Sequence, residues 1–171
     1  MAITLLLTLV CIAGVFLMLF AAVAFIQNKI FFGSAPKDEL ELIQPHEERF
    51  PGMHILGYAL GFAAIAVIIG SVVFAVYDGV KRGYGFLQFF IRFLIMLEGY
   101  KIWDILFLDN YLLTKSNFFK YYYPEIDGCE SLTKSGSQMY NFKSQILKLL
   151  VIFPIVSLAA AGLCVWKFYF R

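Results

Sequence analysis

Glu98, Lys101 and Asp104 stand in the middle of an otherwise apolar stretch, with Asp109 a little further on. Glu98 to Lys101 and Lys101 to Asp104 are both three-residue steps, so on a helix they line up along one side and can pair. At about 100° per residue Asp109 lies almost above Glu98 on the same face. Carboxylates and an amine so arranged could bind a polar or cationic group, move a proton, or hold a hard divalent cation. Asn110 extends the polar stripe, and Tyr100, Trp103 and Tyr111 supply aromatic neighbours. The expected ligand-binding set is Glu98, Lys101, Asp104, Asp109, Asn110, Tyr100 and Trp103. No metal ligand set and no cofactor is assigned.

The elements that must position this stripe follow from composition. The chain has 171 residues, of which 61% are hydrophobic and 15% charged. Soluble domains carry about 25% charged residues, so a water-facing surface cannot be built here. Nineteen Phe and ten Tyr exclude intrinsic disorder. An all-α, polytopic membrane protein is expected, a single domain over 1–171 with four transmembrane helices in a bundle. The spans are 2–28, 54–77, 85–113 and 147–168, each near the roughly 20 apolar residues that cross a bilayer. The first reads as a retained helix and not a signal peptide, because it lacks a basic start and its apolar run is long. The bilayer is the first partner.

Two longer loops, loop 1 over about 27–53 and loop 3 over about 114–145, then share one face. The first holds Pro36, Pro45 and Pro51 around an acidic middle. The second holds Phe118, Phe119, Tyr121, Tyr122 and Tyr123, rings suited to the headgroup region. That face carries seven Lys and Arg against four on the other, which favours a cytoplasmic location for loops 1 and 3. Arg92, near the short turn on the opposite face, is expected to snorkel to the surface. Gly57-x-x-x-Gly61, Ala64 and Gly70 on helix 2, and Ala159 to Gly162 on helix 4, are expected close-contact faces. Pro154 is expected to kink helix 4.

Charge at mid-membrane is expensive, about 2.5–3.5 kcal/mol per residue on insertion scales, and must face protein or water. A pocket or half-channel opening toward loops 1 and 3 is therefore expected. A self-neutralised ion network that only fixes packing is the competing structural reading. Three functions fit the stripe. One is binding or transport of a lipid-like or small polar or cationic ligand, with any conducting form a homo-oligomer. The second is a membrane-embedded enzyme acting on a lipid or isoprenoid-like substrate. The third is an accessory subunit whose charges meet a partner helix.

Other motifs are weaker. Asp78-Gly79-x-x-Arg82 matches part of the signature of the CDP-alcohol phosphotransferases, whose further aspartates are missing here. His46-Glu47-Glu48 lacks a second His at helical spacing, which excludes a zinc-protease helix. Three Cys without a Cys-x-x-Cys spacing exclude zinc knuckles. A net charge of +2 gives no basis for nucleic-acid binding. Phe107-Leu108-Asp109 with Leu112-Leu113, followed by Pro124-Glu125-Ile126-Asp127-Gly128, resembles a pattern in uncharacterised prokaryotic integral membrane proteins, over up to a third of the chain. The resemblance implies a small multi-span protein and assigns no activity; the expected location is a multi-pass integral membrane one, the plasma or inner membrane if the source is prokaryotic.

Overall fold

The computed structural model describes residues 1–28, 41–44, 46–112, 116–126 and 144–169, without the side chains of Asp109, Asn110 and Tyr169. All regular structure among them is helical. Helix α1 (Ala2–Phe20) continues as a π-helical segment, Ala21–Ile26. Helix α2 is Met53–Lys81. Helix α3 (Phe86–Trp103) runs into a π-helical segment, Asp104–Leu112. A short α4 (Phe118–Tyr122) and a 3-10 turn, Pro124–Ile126, follow. A π-helical segment, Lys148–Ile152, then leads into α5 (Phe153–Tyr169).

Three of the long stretches are long and apolar enough to cross a membrane: Ala2–Ile26, Met53–Lys81 and Ser144–Phe168. In lipid every backbone N–H must find its acceptor within the segment, which these sequences do as helices. The fourth, through α3, carries Arg92, Glu98, Lys101 and Asp104, and its charges keep it outside that class. Helix α2 runs past the expected end at Tyr77, which places Asp78 inside the helix.

The ends are marked by local chemistry. Gln27 is left-handed at φ 51°, and its N–H bonds back to the Ala22 carbonyl at 2.9 Å, a π-type closure. Gly52, at φ 83°, precedes α2 in a conformation that only glycine adopts freely. The Glu48 carboxylate accepts the N–H groups of Gly52 and His54, each at 3.1 Å, and so caps that helix. Between α2 and α3 the chain turns at Gly83, φ 67°. The Gln88 side chain reaches back to accept the Gly85 N–H at 2.7 Å.

Helix α1 packs against both α2 and α3, and α3 packs against α5. Small residues set the approach, as expected where lipid supplies no hydrophobic drive between helices. A methyl on Gly57 would lie 2.8 Å from the Ile26 and Phe25 side chains. One on Gly14 would lie 2.7 Å from Ile68. Gly61 and Gly70 face open space, so that half of the expected face is not a contact. On α5, Ala161 is fully buried, whereas Ala159 is exposed. Pro154 sits where π-helix gives way to α-helix, so its missing N–H falls at a change of hydrogen-bond register.

The core has two parts. One joins Leu7, Ala75, Phe89, Phe93, Met96, Ala161 and Cys164 from the four long helices. The other joins Val23 and Leu112 to Ile43, Phe119, Tyr123 and Ile126. The described pieces of the two longer loops thus meet over one end of α1 and of the α3 stretch. There His46 stacks on Tyr123 at 5.4 Å, and its Nε2 lies 3.1 Å from Glu125. Arg49 rests over the rings of Tyr121 and Tyr122 at 5.5 and 5.3 Å. Burial, with the Glu125 charge adding, pushes the Tyr123 hydroxyl well above its ordinary range.

Candidate functional site

Helix α3 is the organising element, and its charges divide between two levels. At the lower number is Arg92, whose side chain is 1% exposed. Its Nη2 donates to Asp78 Oδ2 at 2.8 Å and to the Tyr84 hydroxyl at 3.0 Å. Its Nη1 donates to the Ala75 carbonyl at 2.7 Å, and its Nε to Thr4 Oγ1 at 3.2 Å. The guanidinium also lies over the Tyr84 ring, 4.4 Å from its centre. Asp78 takes a second cation on its other oxygen, from Arg82 Nε at 2.8 Å. The expectation that Arg92 snorkels is therefore corrected. It turns inward because α2 offers a carboxylate and a spare carbonyl one turn apart, and a buried ion needs both charge and hydrogen-bond partners.

The second level is Lys101, 5% exposed, whose Nζ pairs with Asp104. Glu98 makes no ion pair among the described residues, so of the two pairings the spacing allows to Lys101 only the one with Asp104 forms. Trp103 stacks on Phe107 at 5.1 Å and meets Phe16 edge-on at 6.3 Å. Tyr111 stacks on Phe107 at 5.6 Å. The side chains of Asp109 and Asn110 lie outside the described set. Cys129, Asp127 and Glu130 lie outside the described residues. Of the acidic loop motif, His46 goes to Glu125 and Glu48 to the start of α2. No cluster of three or more metal-ligating side chains forms among the described residues.

Two cavities flank α3, and its sequence explains their faces. Phe93, Met96, Leu97 and Tyr100 follow the i, i+3, i+4, i+7 pattern of one helix face. They line an apolar cavity of about 350 Å³, closed by Cys11 of α1, Val72 and Val76 of α2, and Val156, Ala160, Leu163 and Cys164 of α5. Gln88, Ile91, Arg92 and Ile95 repeat the pattern five residues earlier, which turns them about 140° away. With Met1, Thr4 and Tyr84 they line a smaller recess of about 160 Å³, in which polar and apolar residues mix. Neither cavity is lined by Glu98, Lys101 or Asp104; Tyr100 alone of the expected set borders one. Asp78, Arg82, Arg92 and Tyr84 were not among the expected site residues. Their signal was the position of Asp78 and Arg92 on either side of one tight turn.

Comparison with protein-family models, curated proteins and solved structures finds no match for the chain. The functional reading therefore stands on geometry and chemistry alone.

Proposed function

We propose that the chain is a four-span integral membrane protein that holds an apolar, lipid-like molecule between its helices. The observation that carries this reading is the apolar cavity to which all four long helices contribute. Its volume of about 350 Å³ lies at the lower end of the range for ligand pockets, roughly 300–1,000 Å³. Its wall is aliphatic, aromatic and sulfur-bearing, which suits an acyl or prenyl chain and offers nothing to a hydrated ion. Tyr100 is the wall's phenol, and the Lys101–Asp104 pair follows it on the same helix. The ligand's polar end is assigned to this level, below the packed pieces of loops 1 and 3.

The fourth span in this reading is α3 with its π-helical continuation. Its buried charges are matched by partners: Arg92 by Asp78 and Lys101 by Asp104. A matched pair enclosed by protein removes the chief objection to a charged span. The seven-to-four count of Lys and Arg supports a cytoplasmic side for loops 1 and 3.

The test is native mass spectrometry of protein extracted with its lipids, beside Ala160→Phe, which fills the cavity, and Ala159→Phe, which points away from it. A lipid or isoprenoid retained by the parent and by Ala159→Phe, and lost from Ala160→Phe, is the expected result. Bare protein, or retention unchanged by Ala160→Phe, overturns the reading.

A further inference from the structure

The recess beside Arg92 has four hydrogen-bonding residues, Thr4, Tyr84, Gln88 and Arg92, set among apolar ones. A guanidinium has five N–H groups, and four of Arg92's are engaged, which leaves one on Nη1 without a partner among the described residues. Thr4 Oγ1 and the Tyr84 hydroxyl oxygen both accept from Arg92, so each hydroxyl hydrogen is left to donate. Gln88 accepts the Gly85 N–H with its oxygen, and its amide NH₂ has no acceptor among the described residues. These four residues line one recess, and no carboxylate lines it.

The charge balance leans the same way. Asp78 is shared by two guanidiniums, Arg92 and Arg82, so the cluster carries one positive charge more than it neutralises. Unspent donors on a net cationic floor select an acceptor-rich anion, and a tetrahedral oxyanion such as phosphate presents several acceptor oxygens at once. The remaining wall is Met1, Ile91, which is 41% exposed, and Ile95. Apolar residues beside the donors suit a phosphate that arrives attached to a hydrocarbon chain.

We infer that this recess is a binding site for a phosphate oxyanion, presented by an anionic phospholipid of the leaflet at the α2–α3 turn. The site is separate from the apolar cavity. It lies on a different face of α3 and uses none of the same residues.

The experiment places the purified chain in nanodiscs of phosphatidylcholine with a rising fraction of phosphatidylglycerol and counts retained lipids by native mass spectrometry. Gln88→Glu is the main variant. It keeps the oxygen that accepts the Gly85 N–H and replaces the donor amide with a negative charge. Gln88→Leu removes the same donor amide without adding a charge, and helicity by circular dichroism checks that both fold. Selective phosphatidylglycerol retention, about tenfold weaker in Gln88→Glu and reduced to a smaller extent in Gln88→Leu, is the expected result. A parallel titration with inorganic phosphate separates the sources. Thermal stabilisation by phosphate alone, lost in Gln88→Glu, would establish the oxyanion site and move its occupant from lipid to solution. Equal retention of the two lipids, unaffected by either variant and with no response to phosphate, overturns the inference. Gln88→Glu leaves occupancy of the apolar cavity unchanged, so the two readings fail independently.

Discussion

Arg92 Nη2 and Asp78 Oδ2 meet at 2.8 Å across the α2–α3 hairpin, with the guanidinium side chain 1% exposed. The pair ties α2 to α3 by an interaction that neither helix could satisfy alone. Thr4 adds α1 to the same knot, through the Nε hydrogen bond.

Breaking this pair from one side should be severe. Asp78→Asn leaves Arg92 buried with its charge uncompensated, a change expected to destabilise by about 3–5 kcal/mol. Replacing both together, as Asp78→Leu with Arg92→Met, should recover much of that loss, because no orphaned ion remains. Unfolding in a denaturing detergent series reads both. A single variant as stable as the parent would show that the ion pair does not hold the hairpin.

Glycines that look alike in the sequence should behave differently. At Gly79 an added methyl runs into the Phe89 ring, and at Gly57 it meets Ile26 and Phe25. Gly79→Ala and Gly57→Ala are expected to destabilise by about 1–3 kcal/mol through overpacking. Gly61→Ala and Gly70→Ala meet open space and should be neutral or mildly stabilising, since alanine favours helix. Thermal unfolding of the four variants in one detergent orders them. The reverse order would show that the helices pack differently.

Acid should loosen the start of α2. The N–H groups of His54 and then Gly52 hold the Glu48 carboxyl below its ordinary range. A group whose folded pKa is lowered contributes stability that is present above the unfolded value, near 4.3, and is lost as pH falls through the folded one. The parent should therefore exceed Glu48→Gln in melting temperature at pH 7, and the gap should close below about pH 4. A gap that is constant with pH would assign the difference to something other than the carboxylate.

The helices were legible because apolar runs of this length have few alternatives, and the spacing of Lys101 and Asp104 announced a pair within one helix. Partners on different helices were not. The pairing of Arg92 with Asp78 depends on the azimuth of two helices about their axes, which local spacing does not encode. Near a short turn, snorkelling was the simpler expectation. The hint lay in hairpin register: Asp78 precedes the Gly83–Gly85 turn and Arg92 follows it by comparable helical distances. The apolar cavity was illegible for another reason. Phe93, Met96 and Ala160 carry the same chemistry as residues that face lipid, and only tertiary packing tells lining from surface. Glu98 was over-read because three-residue spacing permits pairing on both sides of Lys101 and does not select between them.

The shared carboxylate at the α2–α3 turn has a consequence for how the chain enters a membrane. On the proposed four-span topology, α3 delivered to lipid alone would bring Arg92 in unmatched, at about 2.5–3.5 kcal/mol on insertion scales. Delivered as a hairpin with α2, it arrives already neutralised, with Tyr84 and the Ala75 carbonyl beside it. The short turn through Gly83 and Gly85 keeps the partners adjacent from the moment both are synthesised. The unit of biogenesis is then the helical pair, and the order in which segments leave the ribosome becomes part of how α3 crosses.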